Sequence, residues 1–90
     1  MKHRVIYSQS AQHDLDKLPA HDAQRILLKI RDYSLTPDPI RFATKLSAPY
    51  EDAYRFRIRD YRAIFEVHSG EQIRILHILR VKHRKDIYRK

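Results

Sequence analysis

Polar and apolar residues alternate from His3 to Tyr7 around β-branched Val5 and Ile6, which predicts a short strand. The spacing then changes. Ala11, Leu15 and Leu18 fall at i, i+4 and i+7, the stripe of an amphipathic helix, and either Ser8 or Ser10 can cap it. Pro19 ends this helix or starts the next one at its first turn. A second, longer helix carries Ala23, Ile26, Leu27, Ile30 and Tyr33 on one stripe and leaves Gln24, Arg25, Lys29 and Asp32 to solvent. With so short a link, the two helices read as a helical hairpin.

Thr36-Pro37-Asp38-Pro39 is incompatible with a helix and marks a loop. The stretch from there to Asp52 is weakly patterned, with Phe42 and Leu46 as inward anchors and a further break at Ser47-Ala48-Pro49. From Tyr54 the period becomes two. Tyr54, Phe56 and Ile58 alternate with Arg55, Arg57 and Arg59; after Asp60, Tyr61, Ala63, Phe65 and Val67 alternate with Arg62, Ile64 and Glu66. Ser69-Gly70 is a turn. Ile73 to Val81 is a nearly continuous apolar run, the pattern of a central strand covered on both faces. The order is β-α-α-β-β-β, which predicts a single α+β domain over residues 1–90: an antiparallel sheet with the helical hairpin packed on one face. The helices cover the Tyr54/Phe56/Ile58 face, and the arginines occupy the other.

Charge sharpens this picture. The chain of 90 residues carries a net charge of +8. Residues 1–53 hold eight Lys/Arg against seven Asp/Glu, whereas residues 54–90 hold eleven against four. The excess therefore sits in the second half, the footprint of a protein that meets a polyanion. A basic surface that docks an acidic protein or aids solubility is the alternative reading. Hydrophobic residues make up 42% of the chain, enough for a core without cross-links, and there is no cysteine to supply a disulfide or a thiolate ligand. No apolar run approaches the length of a membrane span and no signal peptide is evident, so a cytoplasmic location is expected.

Candidate chemistry follows from the alternation. If Arg59-Asp60 is a two-residue hairpin loop, Ile58 pairs with Tyr61, Arg57 with Arg62 and Arg55 with Ile64. Arginines directly opposite one another repel. An anion among Arg55, Arg57 and Arg62 relieves that repulsion, and planar guanidinium forks suit phosphate oxygens. Asp60 has no glycine partner of the usual hairpin kind, which leaves the register open. Arg80, Lys82, His83, Arg84 and Lys85 follow the last strand, and Tyr88 comes three residues later. His83 is a candidate for acid–base work, since cationic neighbours favour its neutral form. Tyr88 either stacks on a base, orients a proton transfer or closes the core. His3, His13, His21, His68, His77 and His83 show no ligand spacing, so neither metal nor cofactor is expected. Arginines, a histidine and a tyrosine suit one reaction well. RNA carries its own nucleophile, the 2′-hydroxyl, and needs only positioning, charge stabilisation and proton management.

Tyr54-Arg55-Phe56-Arg57-Ile58-Arg59-Asp60-Tyr61-Arg62-Ala63-Ile64-Phe65-Glu66-Val67 resembles the "YRxRxGDYRxIYEV" segment of RelE toxins in the RelE/ParE superfamily, and His83-Arg84-Lys85-Asp86-Ile87-Tyr88-Arg89 resembles the family's terminal "HRxxxYR" motif. Ser10-Ala11 and Asp14-Leu15-Asp16-Lys17-Leu18-Pro19 fit as well, so the resemblance spans essentially the whole chain. It implies a RelE-like fold and the toxin of a type II toxin–antitoxin system. The implied activity is ribosome-dependent, metal-independent cleavage of mRNA in the A site by 2′-hydroxyl attack. The implied partners are an acidic RelB-like antitoxin, in a toxin–antitoxin hetero-oligomer, and the 70S ribosome with mRNA in its A site. On this resemblance Arg55 and Arg57 secure substrate phosphates, Arg62 stabilises the transition state, Arg84 assists the leaving oxygen, Tyr88 helps orient the nucleophile, and His83 matches a histidine proposed to act in catalysis. Arg59, Arg80, Lys82 and Lys85 are expected to bind RNA. Two departures stand out: Arg59 precedes Asp60 where many relatives have glycine, and Lys82 replaces a glycine that often precedes His-Arg. The rival readings are a ParE-like DNA gyrase poison, which generally lacks the arginine and tyrosine set, and a non-enzymatic RNA- or ribosome-binding module.

Overall fold

The structure, a computed structural model, describes residues 2–47 and 52–87. Strand β1 (Lys2–Tyr7) leads into helices α1 (Gln9–Asp16) and α2 (Ala20–Ser34). A 3-10 turn (Pro39–Phe42) follows, then strands β2 (Ala43–Lys45), β3 (Ala53–Ile58), β4 (Tyr61–Ser69) and β5 (Ile73–His83), and a short helix α3 (Arg84–Ile87). Of the two candidate caps it is Ser8 that starts α1: its hydroxyl accepts the Ala11 N–H at 3.0 Å. Pro19 begins α2, its carbonyl accepting the N–H groups of Asp22 and Ala23.

The five strands form one sheet in the order β1-β5-β4-β3-β2. The expected all-antiparallel sheet is corrected at one edge, where β1 runs parallel to β5 from Lys2↔Ile73 to Tyr7↔Ile78. The other neighbours are antiparallel. The antiparallel helix pair returns the chain to the end of the sheet where β1 stopped, so β2 runs against β1. Three strand reversals later β5 lies alongside β1 in the same direction. A parallel pair of this kind needs a long connection, and everything between Tyr7 and Ile73 provides it.

The helices pack on one face, as the pattern requires. Ala11 and Leu15 of α1 and Ile26 and Ile30 of α2 meet Phe56, Ile58, Ala63, Phe65, Leu76, Ile78 and Val81 from the sheet. The Phe56 and Phe65 rings stack with centroids 4.3 Å apart, and Tyr33 caps Phe56 at 4.7 Å. Each fully buried side chain of this size contributes about 1.5–3 kcal/mol, so the two phenylalanines anchor the core. Three expectations are corrected. Leu27 is 40% exposed beside Leu28, because the buried stripe of α2 narrows to Ala23, Ile26, Ile30 and Tyr33. Phe42 is half-exposed and stacks on Tyr33 at 4.8 Å instead of entering the core. Strand β5 is flanked by strands on both edges, yet among the described residues no element covers its outer face.

Candidate active site on the outer sheet face

The hairpin register is the one that the alternation predicts: Arg57↔Arg62, Ile58↔Tyr61 and Arg55↔Ile64. The loop is Arg59-Asp60, and Arg59 takes φ 54°, the left-handed region that short hairpin loops of this kind require. Beyond β4 the register continues to β5, with Arg62↔Lys82 and Ile64↔Arg80. The outer face therefore carries two rows across three strands, Arg57–Arg62–Lys82 nearest the loop and Arg55–Ile64–Arg80 behind it.

A β-bulge makes these rows. Phe65 pairs with Ile78 and Ile64 with Arg80, which leaves Leu79 as the extra residue of β5. Leu76 and Ile78 are buried in the helix-facing core. Strict alternation from them would turn Arg80 and Lys82 inward as well. The bulge shifts the phase by one, so Val81 continues the core while Arg80 and Lys82 join Arg62 on the outer face.

Helix α1 holds the bulge in place. The Ser8 N–H donates to the Ile78 carbonyl at 2.9 Å, and its hydroxyl donates to the Leu79 carbonyl at 2.8 Å. The Asp14 carboxylate accepts the Val81 N–H at 2.9 Å and takes the Arg80 guanidinium in a fork, from Nε at 2.8 Å and Nη2 at 3.0 Å. Burial works to raise the Asp14 pKa. The hydrogen bonds from Arg80 and Val81 and the charges of Arg80 and Lys82 outweigh it and hold the carboxyl below its usual range. The hydrogen bonds that Arg80 donates to Asp14 favour the charged form of Arg80.

Arg62 is the buried charge of the site, only 6% exposed. Its Nη1 donates to the carbonyls of Arg59 at 2.8 Å and Tyr61 at 2.9 Å, which draws the guanidinium back toward the loop. Arg55 is partly buried and Arg57 exposed. Helix α3 closes the loop end: the Arg84 N–H donates to the Asp60 carbonyl at 2.7 Å, and its Nε lies 3.7 Å from the Asp60 carboxylate. Arg84 is thereby tethered beside Arg59 and Arg62.

His83 pairs with Tyr61, so its ring lies on the helix side of the sheet, edge-on to the Tyr61 ring at 5.5 Å. Its Nδ1 accepts the Lys85 N–H at 3.2 Å. The Tyr61 hydroxyl donates to Asp22 on α2 at 3.2 Å. Burial and the charge and hydrogen bond of Asp22 raise its pKa.

The model of a family described as the ParE toxin of the type II toxin–antitoxin system parDE matches residues 5–88. The chain belongs to the RelE/ParE superfamily of type II toxins. It is 31% identical over 93 residues to Toxin RelG of Mycobacterium tuberculosis (strain ATCC 25618 / H37Rv), with both chains covered in full. Among solved structures it is similar to the toxin–antitoxin complex RelBE2 of Mycobacterium tuberculosis (TM-score 0.67, 25% identity, 93% of this chain and 100% of the other). It is also similar to the RelB–RelE complex of Methanococcus jannaschii (TM-score 0.63, 28% identity, 92% and 94%). The protein is a toxin of a type II toxin–antitoxin system.

Within this RelE/ParE-type toxin the fold gathers Arg55, Arg57, Arg62, Lys82 and Arg84 around the loop end of the sheet, with Arg59 in the loop itself. Arg80 shares the face but is engaged by Asp14, and Lys85 is exposed on α3. Tyr88 lies outside the described residues. The role of Ser8 and Asp14 in holding the bulge has no periodic signature in the sequence. The histidines also converge once, across strands: Glu66, His68 and His77 place ligand atoms within 4.8 Å of one another. The absence of linear ligand spacing hid that cluster.

Proposed function

We propose that this toxin is a ribosome-dependent mRNA endoribonuclease whose site is the loop end of the outer sheet face. The observation that carries the reading is the row Arg57–Arg62–Lys82, with Arg84 tethered next to it by the hairpin loop. The 2′-oxygen gives up its proton to solvent water and bonds to the adjacent phosphorus, the bond to the 5′-oxygen breaks, and that oxygen takes up a proton from water, so the products are a 2′,3′-cyclic phosphate and a 5′-hydroxyl. Arg55 and Arg57 hold the flanking phosphates, and Arg62, preorganised by two carbonyls, stabilises the charge on the phosphorane. Arg84 assists the departing 5′-oxygen. Tyr88 orients the 2′-hydroxyl in this scheme. His83, whose ring lies on the helix side of the sheet against Tyr61, takes no step in this scheme. Arg59, Lys82 and Lys85 track the RNA backbone, and Arg80 adds to that field while fastening the bulge. Guanidinium groups supply the positive charge at the phosphate, so the reaction proceeds without a metal.

The ribosome as target places the toxin in the cytoplasm, and among the described residues no helix is long and apolar enough to cross a membrane. The partner that silences it is an acidic, RelB-like antitoxin. The RelBE2 and Methanococcus jannaschii RelB–RelE structures are toxin–antitoxin complexes, and the basic half of this chain favours an acidic cover. The ParE description of the matching family supports a second reading, poisoning of DNA gyrase. Incubating the toxin with translating ribosomes separates the two. We expect mRNA cleavage that falls at least a hundredfold in Arg62→Ala and in Arg84→Ala, with the fold intact by circular dichroism. Cleavage untouched by both changes refutes the site assignment, and gyrase-dependent DNA breaks without mRNA cleavage refute the nuclease reading.

A further inference from the structure

Past the arginine rows, the same sheet face changes character. Glu66 and His77 are direct cross-strand partners, and His68 lies two residues along β4 from Glu66 on the same side. His68 Nε2 sits 3.7 Å from the Glu66 carboxylate, and the His68 and His77 ring centroids are 6.1 Å apart. All three ligand atoms fall within 4.8 Å of one another. Around them the register places Ile6, Ile64 and Ile75 on this face, with Arg4 of β1 and Arg55 of β3 as the diagonal cations. Two imidazoles and one carboxylate converging from rigid neighbouring strands are the donor set of a zinc-type ion, not of a hard cation such as Mg²⁺, which takes oxygen ligands.

The geometry points to a divalent transition-metal site formed by Glu66, His68 and His77, binding Zn²⁺ through three side chains with its remaining position open to solvent. Tetrahedral Zn²⁺ with bonds of about 2.0–2.1 Å needs its ligand atoms about 3.3 Å apart. The carboxylate and His68 are already close to that separation, and His68, an exposed side chain, is free to rotate inward. The backbone positions are fixed by the β4–β5 ladder, so binding demands side-chain rotation only. An ion held there clips β4 to β5 below the bulge and adds two positive charges at the end of the arginine rows. It lies one row behind Ile64, away from the loop where the phosphate is cleaved, so its role is structural and electrostatic.

Titrating ZnCl₂ into the purified full-length chain, followed by calorimetry and by imidazole nitrogen NMR, tests the site. The expected result is one ion per chain and a rise of several degrees in the thermal midpoint. The imidazole shifts should be confined to His68 and His77. His77→Ala should abolish binding and Glu66→Gln should weaken it at least tenfold, while His13→Ala should bind as the parent does. Absence of Zn²⁺ binding overturns the inference. So does binding that survives both His77→Ala and Glu66→Gln, or shifts that fall on other histidines of the parent protein; this last readout needs no variant to fold.

Discussion

At Arg59 the backbone adopts φ 54° with a side chain attached, a conformation that disfavours L-residues by roughly 1–2 kcal/mol. Glycine would relieve this. Arg59→Gly should raise stability by roughly 0.5–1 kcal/mol, seen as a higher urea midpoint with an unchanged slope, while weakening RNA binding through loss of the guanidinium at the loop tip. Asp14 shows the opposite balance. It satisfies the Val81 N–H and pairs with Arg80, so Asp14→Ala should cost about 2–3 kcal/mol. Its lowered pKa sets the sign of the pH effect. The stabilisation is fully present above the unfolded value near about pH 4 and is lost as pH falls through the native value. A chemical-denaturation series below pH 5 should show that loss in the parent and not in Asp14→Asn. Of these two residues only Arg59 was legible in advance, as an arginine standing in a glycine position. The role of Asp14 leaves no local sign in the sequence, since its partners lie 66 and 67 residues away.

At the scale of elements, alternation was a reliable guide wherever strands pair without a slip. That is why β3 and β4, their hairpin register and the face bearing Arg55, Arg57 and Arg62 could all be read from the chain. The run Ile73 to Val81 misled for a physical reason. Its apolar continuity across Ile78-Leu79 reflects an inserted bulge residue and not burial on both faces. Strand β2, three residues long, was too short to show a period, and the parallel pairing of β1 with β5 is a property of connection geometry that no local pattern records. Removing the bulge tests its role. Deletion of Leu79 should turn Arg80 and Lys82 toward Phe65 and Leu76 and abolish cooperative unfolding in circular dichroism, because charged groups cannot be buried there without partners. Leu79→Ala keeps the phase and should leave folding cooperative, with a loss of no more than about 1–2 kcal/mol.

Over the whole molecule, the two halves divide the work. The first half supplies the helix layer that closes the core and, through Ser8 and Asp14, fixes the phase of the last strand. The second half supplies the three adjacent strands β3, β4 and β5, whose outer side concentrates positive charge at one end. The charge asymmetry was visible in composition, but composition alone could not separate a face that binds a polyanion from one that also cuts it. The proposal of cleavage rests on Arg62, Lys82 and Arg84 meeting at the hairpin loop, and on RNA supplying its own nucleophile. The most direct measurement replaces the scissile nucleotide of an mRNA in the ribosomal A site by its 2′-deoxy counterpart and follows cleavage. The account predicts rapid cleavage of the all-ribose message to a 2′,3′-cyclic phosphate end, and none of the message lacking that single hydroxyl. Cutting of the deoxy-substituted message at the same position would contradict it.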